Sequence, residues 1–105
     1  MQAYDVGRLQ PGTAYAARFS TQRGADKVRI PALTEVFDLV KRAGAGHIRL
    51  NIETKITPDS GADTPAPETF ATALAKAIQD AGLAARASIQ SFDWRTLMVA
   101  RRIAP

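Results

Sequence analysis

The chain has 105 residues, 14 Lys and Arg against 10 Asp and Glu, a net charge of +4 and no cysteine. With 46% hydrophobic and 23% charged residues it has the composition of a globular protein, of one domain at most. The missing cysteines exclude disulfide scaffolds, thiolate zinc sites and cysteine nucleophiles. A complete (β/α)₈ barrel takes about 250 residues, so only a piece of one fits here.

Residues 1–30 follow neither the helical nor the strand period and are broken by Gly7, Pro11, Gly12 and Gly24. They read as an irregular lead-in segment with one short helical turn, ahead of a structured segment at 31–105. Met1–Pro11 lacks the basic start and apolar centre of a signal peptide, and no apolar run approaches the ~20 residues of a membrane span. The chain therefore reads as soluble, with no membrane span.

From Pro31 the pattern sharpens. Leu33, Val36, Phe37 and Val40 recur at helical spacing with Glu35 in the first turn and Gly44 as a stop, which predicts a helix over about 32–43. His47–Ile56 alternates, with Ile48, Leu50, Ile52 and Ile56 on one face and Arg49, Asn51, Glu53 and Lys55 on the other, which predicts a strand. Thr57–Pro65 reads as a loop. Pro67 opens a second helix over about 67–81, carried by Phe70, Leu74, Ala77, Ile78 and Ala81 and stopped by Gly82. Ala87–Phe92 alternates as a second strand, and Asp93 is placed to cap a third helix carrying Trp94, Leu97, Met98 and Arg101.

The order helix, strand, helix, strand, helix predicts an α/β fold with two parallel strands joined by a right-handed helical crossover. Both strand C-termini, near Lys55 and Phe92, then share one end, where ligand chemistry gathers in parallel α/β proteins. A central parallel strand is expected to be nearly all apolar, yet this one carries Asn51, Glu53 and Lys55 along one face. Either that face serves a metal, a phosphate or a wet cleft, or the strand is antiparallel with one solvated face and Glu53 and Lys55 form a minor ion pair.

Three segments in register bear on that choice. Ile30-Pro31-Ala32-Leu33-Thr34-Glu35-Val36-Phe37, then Leu50-Asn51-Ile52-Glu53-Thr54-Lys55, then Ile89-Gln90-Ser91-Phe92-Asp93 resemble the middle of the glycerophosphodiester phosphodiesterase family. The similarity covers about residues 28–105, with a looser likeness over Asp5–Arg29. It implies a partial TIM-barrel-like unit. It also implies a metal-dependent hydrolysis of glycerophosphodiesters to glycerol 3-phosphate and an alcohol, with calcium or magnesium as the cation of the complete enzyme. Under this resemblance Glu53 is a cation ligand, Lys55 lies near the substrate phosphate, and Gln90 and Phe92 line the pocket. The family usually has Thr where Ala32 stands, so the first helix keeps only the Glu35 half of a capping box.

The family's His-Arg-Gly element, its Glu-x-Asp ligands and its second catalytic His are not in this sequence, so no catalytic residue is assigned and the chain is expected to be inactive in isolation. His47, the one histidine, sits at the opposite end of its strand and reads as structural. Asp59 and Asp63 read as solvated loop residues, and Trp94 and Met98 as core packing.

Charge counted by segment runs +3 over 1–30, +1 over 31–58, −3 over 59–80 and +3 over 81–105. Arg101-Arg102 stands out locally, but the basic residues are scattered and not interleaved with aromatics, which argues against nucleic acid. A partial barrel leaves strand edges and helix flanks uncovered and is expected to self-associate or to be only marginally stable. The reading from a different class is a small non-enzymatic α/β interaction module that binds a partner through those same surfaces.

Overall fold

The structure is a computed structural model and describes residues 2–104. It divides after Val36 into two compact units.

The first unit is mostly irregular. Its first helix, α1 (Ala14–Ala17), is a single turn capped by the Thr13 hydroxyl, which accepts from the Ala16 N–H at 3.1 Å. The rest is tied by Asp5, whose carboxylate accepts backbone N–H groups from Gly7 (3.0 Å), Lys27 (2.7 Å) and Val28 (3.2 Å). Those bonds, led by the one from Gly7, hold the Asp5 carboxyl below its ordinary value. Gly7 is obligatory here, because a Cβ would fall 2.0 Å from the Ala25 carbonyl oxygen.

The helix α2 (Leu33–Arg42) begins one residue later and ends one residue earlier than the 3.6 period predicts. With Ala32 at its cap position, Glu35 alone supplies the cap, accepting from the Ala32 N–H at 2.6 Å. The same carboxylate takes the Arg29 guanidinium at 2.6 Å, and that bond above all lowers its pKa. Lys41 and Arg42 suit the C-terminal end of the helix dipole.

The second unit continues β1 (Leu50–Glu53), α3 (Pro67–Asp80), β2 (Ala87–Gln90) and α4 (Trp94–Ile103). A 3₁₀ turn at Gly61–Asp63 lies in the long loop, and another at Ala84–Arg86 precedes β2. The strands are parallel, with Leu50 beside Ala87 and Glu53 beside Gln90. The antiparallel alternative is therefore excluded, and the chain is a mixed α/β arrangement of two parallel strands with flanking helices, as in a partial barrel unit.

Both strands are shorter than the alternation predicts. The 3₁₀ turn sets the start of β2 at Ala87, so residues before Leu50 have no partner, and Ile48 is exposed. At the other end the Ser91 hydroxyl accepts the Asp93 N–H at 3.1 Å, turning the chain out of β2 before Phe92.

Alternation sorts the sheet into two faces. Leu50, Ile52, Ala87 and Ile89 face the helical layer, where α3 packs against α4 and α4 against β2. The buried stripe of α3 is Ala71, Leu74, Ala75 and Ile78, at i, i+3, i+4 and i+7; with Phe37, Ile56, Leu83 and Ala100 it makes the core. Small residues on that stripe allow the close approach of α4 through Thr96 and Ala100.

That choice of contact face turns Trp94 and Met98 outward, 75% and 73% exposed, which corrects the expectation that they pack in the core. Asp93 caps α4 as predicted, accepting from the Arg95 N–H at 3.0 Å. Among the described residues no helix is long and apolar enough to cross a membrane.

Candidate functional site

On the other face of the sheet lie Asn51, Glu53, Ser88 and Gln90. Glu53 closes β1, and its carboxylate meets the Lys55 ammonium at 2.8 Å. Glu53 is largely covered, its side chain 22% exposed, while that of Lys55 is 78% exposed. The Lys55 ammonium also stands 6.0 Å from the centroid of the Phe92 ring, within cation–π range. These three side chains, with Ile56, Thr57 and Ser60, line an open pocket of about 400 Å³ at the C-terminal end of the strands.

Three of the four predicted site residues therefore share one pocket. Gln90 is engaged differently, since its side-chain oxygen accepts from the Asn51 amide at 2.5 Å, tying the two strands together on the polar face. His47 lies in the turn ahead of β1, at the far end of the strand from Glu53. Asp59 and Asp63 are exposed in the loop, and Thr57 and Ser60 brace that loop through their hydroxyls at 3.0 Å.

The backbone under Glu53 and Lys55 is held by a buried polar network that the motif reading did not reach. The residue between them, Thr54, is 1% exposed. Its N–H donates to the Gln90 carbonyl at 2.9 Å, its carbonyl accepts the Ser91 hydroxyl at 3.1 Å, and its hydroxyl meets that of Thr96 at 2.8 Å. Thr96 in turn donates to the Asp93 carbonyl at 3.0 Å.

Arg95 pairs with the buried Asp93 at 2.6 Å and reaches the Thr57 carbonyl at 3.3 Å, so the α4 N-terminus clamps the loop leaving β1. The hydrogen bond from Arg95 depresses the Asp93 pKa. A signal for Thr54 was available, because it falls on the same alternation face as Leu50, Ile52 and Ile56.

Chemically, the pocket offers one carboxylate, one exposed ammonium and one aromatic wall. An ion pair with a mostly exposed lysine is worth only about 0.2–1 kcal/mol, so either partner is readily exchanged for a ligand. A divalent cation fits these residues poorly. It takes about six oxygens, Glu53 provides at most two and is already engaged by Lys55, and no group of three His, Asp or Glu side chains occurs among the described residues.

Comparison with solved structures finds a crystal structure from Silicibacter pomeroyi DSS-3, provisionally named a glycerophosphoryl diester phosphodiesterase. It is 31% identical over 96% of this chain, with a TM-score of 0.79. The present chain spans 34% of that protein's length. No family model matches the sequence. No curated protein matches it either.

Proposed function

We propose that these residues form part of a glycerophosphodiester phosphodiesterase, a hydrolase that cleaves a glycerophosphodiester to glycerol 3-phosphate and an alcohol. The observation that carries this reading is the gathering of Glu53, Lys55 and Phe92 in one pocket at the C-terminal end of two parallel strands. That is the end at which barrel enzymes hold their substrates. The likeness to the Silicibacter pomeroyi protein supports the same class of chemistry.

In this reading Lys55 attracts the phosphodiester by charge, and Phe92 offers an apolar wall to the carbon skeleton beside it. Glu53 orients Lys55 and would serve as one carboxylate of a calcium or magnesium site whose other ligands these residues do not hold. No proton transfer is assigned to this chain, because among the described residues the pocket has no histidine and no second carboxylate.

Two preparations test the proposal. The 105-residue chain is expected to release no glycerol 3-phosphate from glycerophosphocholine with calcium or magnesium. A chimera carrying residues 28–105 in place of the matching segment of the Silicibacter pomeroyi protein is expected to turn over, provided that protein does. In the chimera, Glu53→Ala is expected to reduce turnover by about 10²-fold or more, on the scale of removing one group that stabilises developing charge in an active site. An active chimera indifferent to both Glu53→Ala and Lys55→Met would overturn the reading.

A further inference from the structure

Lys55 and Phe92 follow the ends of different strands, and each stands at the middle of a tight turn. The Thr54 carbonyl accepts the Ile56 N–H at 3.1 Å, which closes a three-residue turn around Lys55. The Ser91 hydroxyl accepts the Asp93 N–H at 3.1 Å, which closes a turn of the same span around Phe92. One further bond joins the two turns, because the Ser91 hydroxyl donates to that same Thr54 carbonyl at 3.1 Å. A serine hydroxyl has one proton to give and lone pairs to accept with, so Ser91 is at once a member of one turn and the strut to the other.

Ser91 is buried, and so are Thr54 and Ile56 on either side of Lys55. In such surroundings, turning the hydroxyl away from the Thr54 carbonyl strands its proton, and turning it away from Asp93 strands a backbone N–H. Its orientation is therefore fixed, and with it the spacing of the two turns. What the turns carry is the cation of the pocket and its aromatic wall, with the Lys55 ammonium 6.0 Å from the centroid of the Phe92 ring. The other buried tie at this end of the strands, from the Thr54 hydroxyl to that of Thr96, leads into α4 and closes neither turn.

We infer that Ser91 is a positioning residue of the pocket, whose hydroxyl sets Lys55 against Phe92 and through them the grip on a phosphodiester and the carbon skeleton beside it. It touches no substrate itself. What the pocket grips rests on the phosphodiesterase reading, whereas the placement of Lys55 and Phe92 by Ser91 is measured without substrate. Ser91→Ala removes the strut and the closure of the Phe92 turn, while the Thr54 carbonyl keeps the Ile56 N–H. The variant is therefore expected to fold.

The first measurement is the NMR shift that the Phe92 ring imposes on the Lys55 ε-methylene protons of the 105-residue chain, taken as the difference from Phe92→Leu. Ser91→Ala is expected to lose most of that shift. Thr96→Val, which weakens the neighbouring network and leaves both turn-closing bonds in place, is expected to keep it. An unchanged shift in Ser91→Ala, equal losses in the two variants, or no shift in the parent would each overturn the proposal.

The second measurement uses the chimera with the Silicibacter pomeroyi protein. There Ser91→Ala is expected to raise the KM for glycerophosphocholine several-fold, up to about tenfold, with a smaller effect on kcat. Because Ser91 acts through Lys55, Ser91→Ala is expected to change KM less when added to Lys55→Met than when added to the parent. Full additivity of the two changes would overturn the proposal. A chimera indifferent to both Lys55→Met and Glu53→Ala overturns the phosphodiesterase reading instead, and the ring shift then decides for or against Ser91.

Discussion

The hydroxyls of Thr54 and Thr96 meet at 2.8 Å inside the protein, joining the end of β1 to the first turn of α4. Both side chains are almost wholly buried, and each has only one other oxygen in reach: the Gln90 carbonyl at 3.5 Å for Thr54, and the Asp93 carbonyl at 3.0 Å for Thr96. Thr96→Val keeps the shape but strands the Thr54 hydroxyl, and is expected to cost about 1–3 kcal/mol in urea unfolding. Removing both hydroxyls in Thr54→Val with Thr96→Val is expected to cost less than the sum of the single changes, with a coupling of about 0.5 kcal/mol or more. Strict additivity would mean that the two hydroxyls do not depend on each other.

Asp93 is buried, caps α4 and pairs with Arg95, and its pKa is held below the ordinary aspartate value. A carboxyl whose folded pKa is depressed contributes stability that is fully present above its unfolded pKa and is lost as the pH falls through the folded one. The chain is therefore expected to hold constant stability from neutral pH down to about pH 4 and to lose it below. Asp5 and Glu35 add to that loss, since both are lowered as well. Asp93→Asn preserves an N-cap side chain and removes the charge, so the acid limb of its melting-temperature profile is expected to be shallower than that of the parent. Identical limbs would show that Asp93 titrates alike in the folded and unfolded chain.

One guanidinium nitrogen of Arg86 donates to three backbone carbonyls, those of Ala45 (3.2 Å), Gly46 (2.7 Å) and Ile48 (3.0 Å). These bonds fasten the turn that leads into β2 to the segment that leads into β1, at the end of the sheet opposite the pocket. Arg86→Met keeps most of the side-chain stem and removes the donors, and is expected to destabilise by about 1–2 kcal/mol in equilibrium unfolding. Amide exchange is expected to speed up first at Leu50 and Ser88, the residues nearest the released segments. A variant as stable as the parent would assign these contacts to solvent-replaceable decoration.

The order of elements, the parallel pairing and the cap at Asp93 were legible along the sequence because they rest on local periods and on crossover length. The stripe of α3 followed for the same reason, while the half-empty capping box of α2 came from comparing Ala32 with the family's usual Thr. The convergence of Glu53 and Lys55 was also legible, since alternate residues of an extended segment share a side.

Three features depended on neighbours that no period reveals. The strands end where their partner ends, so the turn at Ala84–Arg86 before β2 and the Ser91–Asp93 turn after it trimmed a ten-residue alternation to the four residues of β1. Trp94 and Met98 face outward because the Thr96 and Ala100 side of α4 is the one that meets α3, although the helix carries apolar residues around more than one side. Lys55 found Phe92, and Thr54 found Thr96, only because the crossover brings two strand ends side by side. Local sequence thus determined what each segment is, while the pairing of segments decided which polar groups are buried together and which apolar ones remain uncovered.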